Sequence, residues 1–193
     1  MNEDKTIQNL NKQDTLSLIE SANHIAIIPS KVAGADSFAA ACGLYRSLKS
    51  LDKQVSFVYT GKVPETCADL LSSDEITSDV FERELLISID YSETPAARVH
   101  YSNENDVLFL KVKPIDKNFD LSRVKSEIKG FNFDLVITIG ANHLEDLGQV
   151  YTELKDSFGN STILNIDNTG LNGKFGKVNL VDESADSLSL LVL

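Results

Sequence analysis

Cysteine is scarce: Cys42 and Cys67 are the two thiols in 193 residues. Two cysteines cannot build a disulfide framework, and their spacing carries no metal-site pattern. Cys42 falls on the apolar face of a helical pattern and reads as a core thiol. Basic residues are also in deficit, with 18 Lys+Arg against 29 Asp+Glu and a formal charge of −11. That balance argues against a broad nucleic-acid surface, which needs cations to displace counterions from phosphates. It leaves room for a small phosphate or metal pocket, because net charge says little about one site. No apolar run approaches the roughly 18 residues that span a bilayer. The opening MNEDKTIQNLNKQD lacks the basic and apolar segments of a signal peptide. These absences predict a soluble, cytoplasmic chain with no membrane partner. Familiar motifs are missing too. The loop V-A-G-A-D-S matches neither the dinucleotide fingerprint nor the P-loop, and there is no G-x-S-x-G elbow. His24, His100 and His143 are scattered without metal-ligand spacing.

What remains is a globular composition, 42% hydrophobic and 24% charged, on a chain long enough for one α/β domain or one domain and a small appendage. Residues 14–22 carry Leu16, Ile19 and Ala22 at helical spacing. IAIIP at 25–29 is a continuous apolar run, the pattern of a parallel strand covered on both faces. Phe38, Ala41, Cys42, Tyr45 and Leu48 then line one helix face, and VSFVY at 55–59 closes a βαβ unit. Right-handed crossover places the intervening SKVAGAD loop at the carboxyl end of the first strand. Further strands are predicted at LLISI (85–89), DLVITIG (134–140) and STILNID (161–167), with helices near 120–129 and over 143–158, and a glycine-containing loop leads on to VNLVD. ARVHY and VLFLKV, joined by SNEND, read as an antiparallel hairpin. The fold expectation is therefore α/β: a Rossmann-like, doubly wound, mostly parallel sheet with a β-hairpin insertion at about 85–118.

In such sheets chemistry gathers at the carboxyl ends of strands. Asp36, Asp90 and Asp167 each follow a predicted strand, and converging carboxylates are what Mg²⁺ or Mn²⁺ requires. Each also has a plain structural reading. Asp36 can cap the helix it precedes, and Asp90 and Asp167 can be turn residues. His143 is the histidine placed near the end of the 134–140 strand, and His24 reads as a packed or surface residue.

The order IAIIPSKVAGADSFAAACGLYRSLKSLDKQVSFVY, then DLVITIGANHLEDLG, then ILNIDNTGLNGKFGKVNLVDESADS resembles the DHH phosphoesterases, which include RecJ-like exonucleases and nanoRNase/3′-phosphoadenosine-5′-phosphate phosphatases. The resemblance covers about residues 14–193, and the fragment I-D-x-x-x-x-N-x-x-F-G-x-x-N-L-V-D is its most specific part. It implies a parallel α/β catalytic domain holding two Mn²⁺ ions, normally followed by a smaller substrate-binding domain. The motif positions depart from the family. Its first motif, H-x-N-P-D-G-D-A, falls on Ser30 to Ser37, so Ser30 replaces the ligand His and Gly34 the first ligand Asp, while Asp36 remains. Gly140 stands where the second motif carries Asp. The name-giving Asp-His-His is Asp167-Asn168-Thr169. Asn172, Phe175, Gly176 and Asn179 fit the family loop.

Two-metal hydrolysis needs two cations roughly 4 Å apart, held by carboxylates and imidazoles. Asp36 and Asp167, as metal residues, do not supply the six or so ligand positions each ion demands, and no catalytic residue is assigned. Asn168 and Thr169 offer neutral oxygens, and Ser30 and Gly34 almost nothing. Three readings follow. The first is a degenerate DHH-type domain over 1–193, without the second domain or the dinuclear centre, serving as a nucleotide- or phosphate-binding or scaffold module, a homo-oligomer included. The second is an active Mn- or Mg-dependent phosphoesterase on short oligoribonucleotides or nucleotide phosphates. The third is an unrelated Rossmann-like binding protein. The sequence ends in the apolar run SLSLLVL, without a cap or polar tail, as expected of a first domain cut from a longer protein.

Overall fold

The computed structural model describes residues 13–78, 80, 84–92, 96–114, 120–130 and 132–192. They fall into two compact units, one of residues 1–83 and 130–193 and one of residues 84–129.

The larger unit is built on six parallel strands: β1 (His24–Pro29), β2 (Gln54–Val58), β3 (Ile76–Thr77), β8 (Leu135–Ile139), β9 (Thr162–Asp167) and β10 (Val178–Val181). Their order across the sheet is β10-β9-β8-β1-β2-β3, with every pairing parallel. The sheet is covered on both faces, and the alternation along each strand shows it. Ile25 and Ile27 of β1, Leu135, Ile137 and Ile139 of β8, and Leu164 and Ile166 of β9 point into one core. Ala26, Ile28 and Val136, from the intervening positions, point into the other. Period-two burial of both sets is why these segments are apolar on both alternations. The α/β, Rossmann-like fold class is confirmed.

Helix α2 (Gly34–Ser50) fills the first core with the stripe the sequence predicts: Phe38, Ala41, Cys42, Tyr45 and Leu48. Phe38 meets Phe57 and Tyr59 edge-to-face at 5.1 Å each, the arrangement that ring quadrupoles favour. Both thiols are buried, and burial, with Cys67 nearby, pushes Cys42 up to about 12. Residues 13–21 form the described part of helix α1, with Leu18 and Ile19 against the same core. On the opposite face, α3 (Gln149–Gly159) buries Val150, Leu154 and Phe158.

Three local expectations are corrected. The helix predicted over 143–158 is a 3-10 turn, Leu144–Leu147, and α3, separated by Gly148 at φ 62°, ψ −132°. No ordinary helical residue takes that conformation, so the glycine breaks the run. The helix predicted near 120–129 is a 3-10 turn at Leu121–Arg123 and strand β7 (Val124–Lys129). Leu121, Val124 and Ile128 satisfy a helical period, but Val124 and Ile128 also satisfy a strand period. Antiparallel pairing with β4 (Glu84–Ile89) decides it. Asp90, expected at a parallel strand end, instead follows β4 in this antiparallel pair. It is an exposed turn residue accepting from Ser92 N at 3.0 Å. That bond holds its carboxyl below the usual range.

The unit 84–129 also holds the hairpin of β5 (Ala96–Glu104) and β6 (Val107–Pro114). Asn105 and Asp106, at φ 50° and 63°, bridge the Glu104–Val107 pair as a two-residue turn of the type that twists with its strands. Its limits, 84 and 129, are wider than the predicted insertion. Among the described residues no helix is long and apolar enough to cross a membrane.

Asp134 ties the start of the central strands together. Its Oδ1 accepts from His24 N and its Oδ2 from Asn23 N, both at 2.9 Å. Partial burial pushes this carboxyl up, but the donors from Asn23 and His24 outweigh it and hold it below the usual carboxylate range. A depressed folded pKa gives stability that is complete above the unfolded value, about 4, and is lost as pH falls through the folded value. Asp134→Ala is expected to cost about 1 kcal/mol at pH 7, because the carboxylate is exposed. In urea denaturation the gap between the two proteins closes as pH falls below about 4; a gap that persists there contradicts this role.

Candidate functional site

The strand order reverses between β1 and β8, since β1 runs on to β2 and β3 on one side and β8 to β9 and β10 on the other. Loops leave the carboxyl ends of β1 and β8 toward opposite faces, and ligands of open α/β sheets bind at such switch points. The register brings Pro29, Ile139 and Ile166 level across three neighbouring strands. Ser30 N then donates to Ile139 O at 2.8 Å, and Gly140 N to Ile166 O at 2.9 Å. Ser30, Gly140 and Asp167 therefore share one edge, and the structure brings these three predicted positions together.

Asp167 is buried, 1% exposed. Its Oδ2 accepts from Asn172 Nδ2 at 2.7 Å, and its Oδ1 from the Asn168 backbone N–H at 2.8 Å. Asn172 is the hub of this edge. Its amide also donates to Ala141 O at 2.9 Å. Its Oδ1 accepts from Asn165 Nδ2 at 2.9 Å and Lys174 N at 2.8 Å. Asn165 continues inward, accepting from Thr138 Oγ1 at 2.9 Å, with both residues wholly buried. Thr169 Oγ1 donates to Asn142 Oδ1 at 2.6 Å and stands 3.4 Å from Asp167 Oδ2. Asn168 turns elsewhere and donates to Ala185 O at 3.1 Å. Asn142 and His143 both give their N–H to Asp146 Oδ2, at 2.8 and 3.1 Å. The His143 ring lies against Gly173, where a Cβ would stand 2.7 Å from Nδ1. Downstream, Asn179 and Gly176 bond reciprocally at 3.0 and 2.7 Å.

Asp36 serves a different end. It is the third residue of α2, and its Oδ2 accepts from Leu188 N at 2.9 Å while Ser189 Oγ approaches Oδ1 at 3.4 Å. Leu188 begins the short helix α4 (Leu188–Leu191), so Asp36 is a cap, but for α4 rather than for its own helix. The start of α4 is thus docked, with Leu188 1% exposed.

Glycine at 140 and 34 has two different causes. Gly140 has φ +70°, and a Cβ there would lie 2.7 Å from both Ala33 Cβ and Leu188 Cδ1. The space an aspartate would need is filled by α2's cap residue and by α4. Gly34 has φ +61° but open space around it, so backbone conformation alone favours glycine. Ser30 Oγ accepts from Val32 N at 3.1 Å, and Ser30 O accepts from Ser37 Oγ at 2.6 Å.

The donor set does not fit a dinuclear metal centre. Among the described residues no three His, Cys, Asp or Glu side chains converge to hold a metal ion, whereas each ion of such a pair wants about six ligands. Thr138, Asn142 and Asn165 went unnoticed in the sequence. Their signal was present at Thr138 and Asn165: a polar residue inside an otherwise apolar strand, at positions that pair directly across β8 and β9. A cavity of about 370 Å³ lies at the other end of the sheet, lined by His24, Asp134, Asn160 and Ser161 among others.

The fold and its carboxyl-end edge define an α/β protein with a doubly covered parallel sheet. No protein-family model matches the chain, and no curated protein does. Among solved structures it is similar to an exopolyphosphatase-related protein from Bacteroides fragilis, at 14% identity and a TM-score of 0.61. The match covers 95% of this chain and 42% of that one, so this chain spans less than half the length of the protein it resembles. At that identity the likeness is one of fold.

The two glycines separate packing from conformation. Gly34→Ala is expected to cost about 1 kcal/mol, the left-handed strain alone. Gly140→Ala adds overpacking and costs about 3 kcal/mol. Urea midpoints of the two variants check this, and equal losses would contradict the filled space at Gly140.

Proposed function

We propose that this chain is a phosphoesterase-type scaffold, distantly related to the DHH phosphoesterases, that does not hydrolyse phosphate esters and works as a nucleotide- or phosphate-binding or scaffolding module. The observation that carries the reading is the occupation of the two surviving acidic motif positions. Asp36 is bonded to the N-terminus of α4, and Asp167 to the Asn172 amide. These carboxylates are oriented by protein donors, and the neutral amides and hydroxyls beside them add no further charge to hold a cation. The resemblance over residues 14–193 and the fold likeness to an exopolyphosphatase-related protein supply the phosphoesterase half of the proposal.

The binding half has its own support. Lys31 follows Ser30 at the end of β1, and its ammonium lies 3.7 Å from where a Cβ would sit on Gly148. Gly148 caps the N-terminus of α3, so a phosphate there would meet a cation beside a helix N-terminus.

Hydrolysis tests the reading. With Mn²⁺ present, the protein is expected to turn over neither a diribonucleotide nor 3′-phosphoadenosine-5′-phosphate nor short polyphosphate above the metal-only rate. Turnover that Asp36→Ala abolishes would overturn the proposal in favour of an active metal-dependent phosphoesterase.

A further inference from the structure

We infer that the β5–β6 hairpin is a self-association surface, its uncharged face stacking on the same face of a second copy of this chain. The inference stands on the 84–129 unit by itself and does not depend on the state of the Asp167 edge.

The register sorts the hairpin's side chains. Val99 pairs with Val112, Tyr101 with Leu110 and Asn103 with Leu108, and directly paired residues share a face. The other face takes Arg98 with Lys113, His100 with Lys111, Ser102 with Phe109 and Glu104 with Val107. Every charged side chain described on the two strands is on that second face, and the first face has none. Yet the first face is open to solvent, with Tyr101 80%, Val99 67% and Leu108 62% exposed. Neither strand pairs with a third among the described residues. A lone two-stranded hairpin is marginal in water, and an apolar face of this kind marks a contact surface.

A second copy fits this face for three reasons. Stacking two ribbons leaves Arg98, Lys111 and Lys113 on the outer faces in water, and the sheets meet at about 10 Å through apolar side chains. No cation or carboxylate is desolvated in doing so. Charge also favours contact through this unit. Residues 84–129 hold eight acidic and seven basic residues, a net −1, whereas the rest of the chain holds 21 and 11, a net −10. Two copies meeting through the near-neutral unit avoid the repulsion that a contact through the remainder would carry.

Size sets the strength. Strands of eight or nine residues make a face about 27 Å long and 10 Å wide. With its side chains this offers about 450 Å² per copy, or about 900 Å² in all, just under the roughly 1,200 Å² of standard interfaces. An interface of that size belongs with the weak, transient ones, so the dimer is concentration-dependent.

Sedimentation velocity of the full chain between about 5 and 200 µM, a range in which weak complexes form and dissociate, tests it. The weight-average coefficient is expected to rise from monomer toward dimer. The double variant Leu108→Glu/Leu110→Glu stays monomeric throughout, with an unchanged circular dichroism spectrum and melting temperature. Lys111→Glu, on the opposite face, still dimerises. A wild-type chain monomeric at every concentration, or a double variant that dimerises as well as wild type, overturns the inference. So does cosedimentation of a monomeric chain with phosphatidylserine vesicles, which would make the occupant a lipid surface.

Discussion

One side-chain amide organises the carboxyl edge of the sheet. Asn172 joins the buried Asp167 carboxylate, the Ala141 carbonyl, Asn165 and the Lys174 backbone in a single set of bonds. Both its amide hydrogens and its oxygen are used. The loop after β9 is thereby fixed to the end of β8, and Thr169 adds a second tie to Asn142. A buried carboxylate is costly without donors, and here every donor that answers it is neutral. The edge is stable because it is internally complete, and that completeness opposes its use as a cation site.

The same loops that would bring ligands together bring packing together instead. Gly140 lets Ala33 and Leu188 close over the end of β8, and Asp36 secures Leu188 by capping α4. These features depend on one another. A side chain at 140 would push α4 away, and α4 is what occupies Asp36. An acidic residue placed at 140 would therefore disturb the fold before it created a site.

Much of this architecture was legible in the residues. Both-face burial of β1 follows from its unbroken apolar run and that of β8 and β9 from apolar residues on both alternations, and the α2 stripe from Phe38 to Leu48 is a helical period with no competing interpretation. Val124 and Ile128 were ambiguous because two periods fit them, and pairing with β4 settled the matter. Gly148 was a break hidden inside a helical pattern. At the site, Ser30, Gly34, Asp36, Gly140, Asp167 and Asn172 were visible one by one. Their connections were not: Asp36 depends on Leu188 and Thr138 on Asn165, both far along the chain, and Asp167 on how the short loop to Asn172 folds back. Sequence periodicity reports which face a residue occupies, not which hydrogen bond it makes.

The central claim is that Asp167 and its neighbours are a structural network and not a manganese centre. Thermal unfolding with and without millimolar Mn²⁺ tests it most directly, because a cation held by the folded state raises stability by about 2.7 kcal/mol at a hundredfold excess over its Kd. The account predicts a melting temperature unchanged by Mn²⁺. A rise of several degrees that Asp167→Asn removes would contradict it.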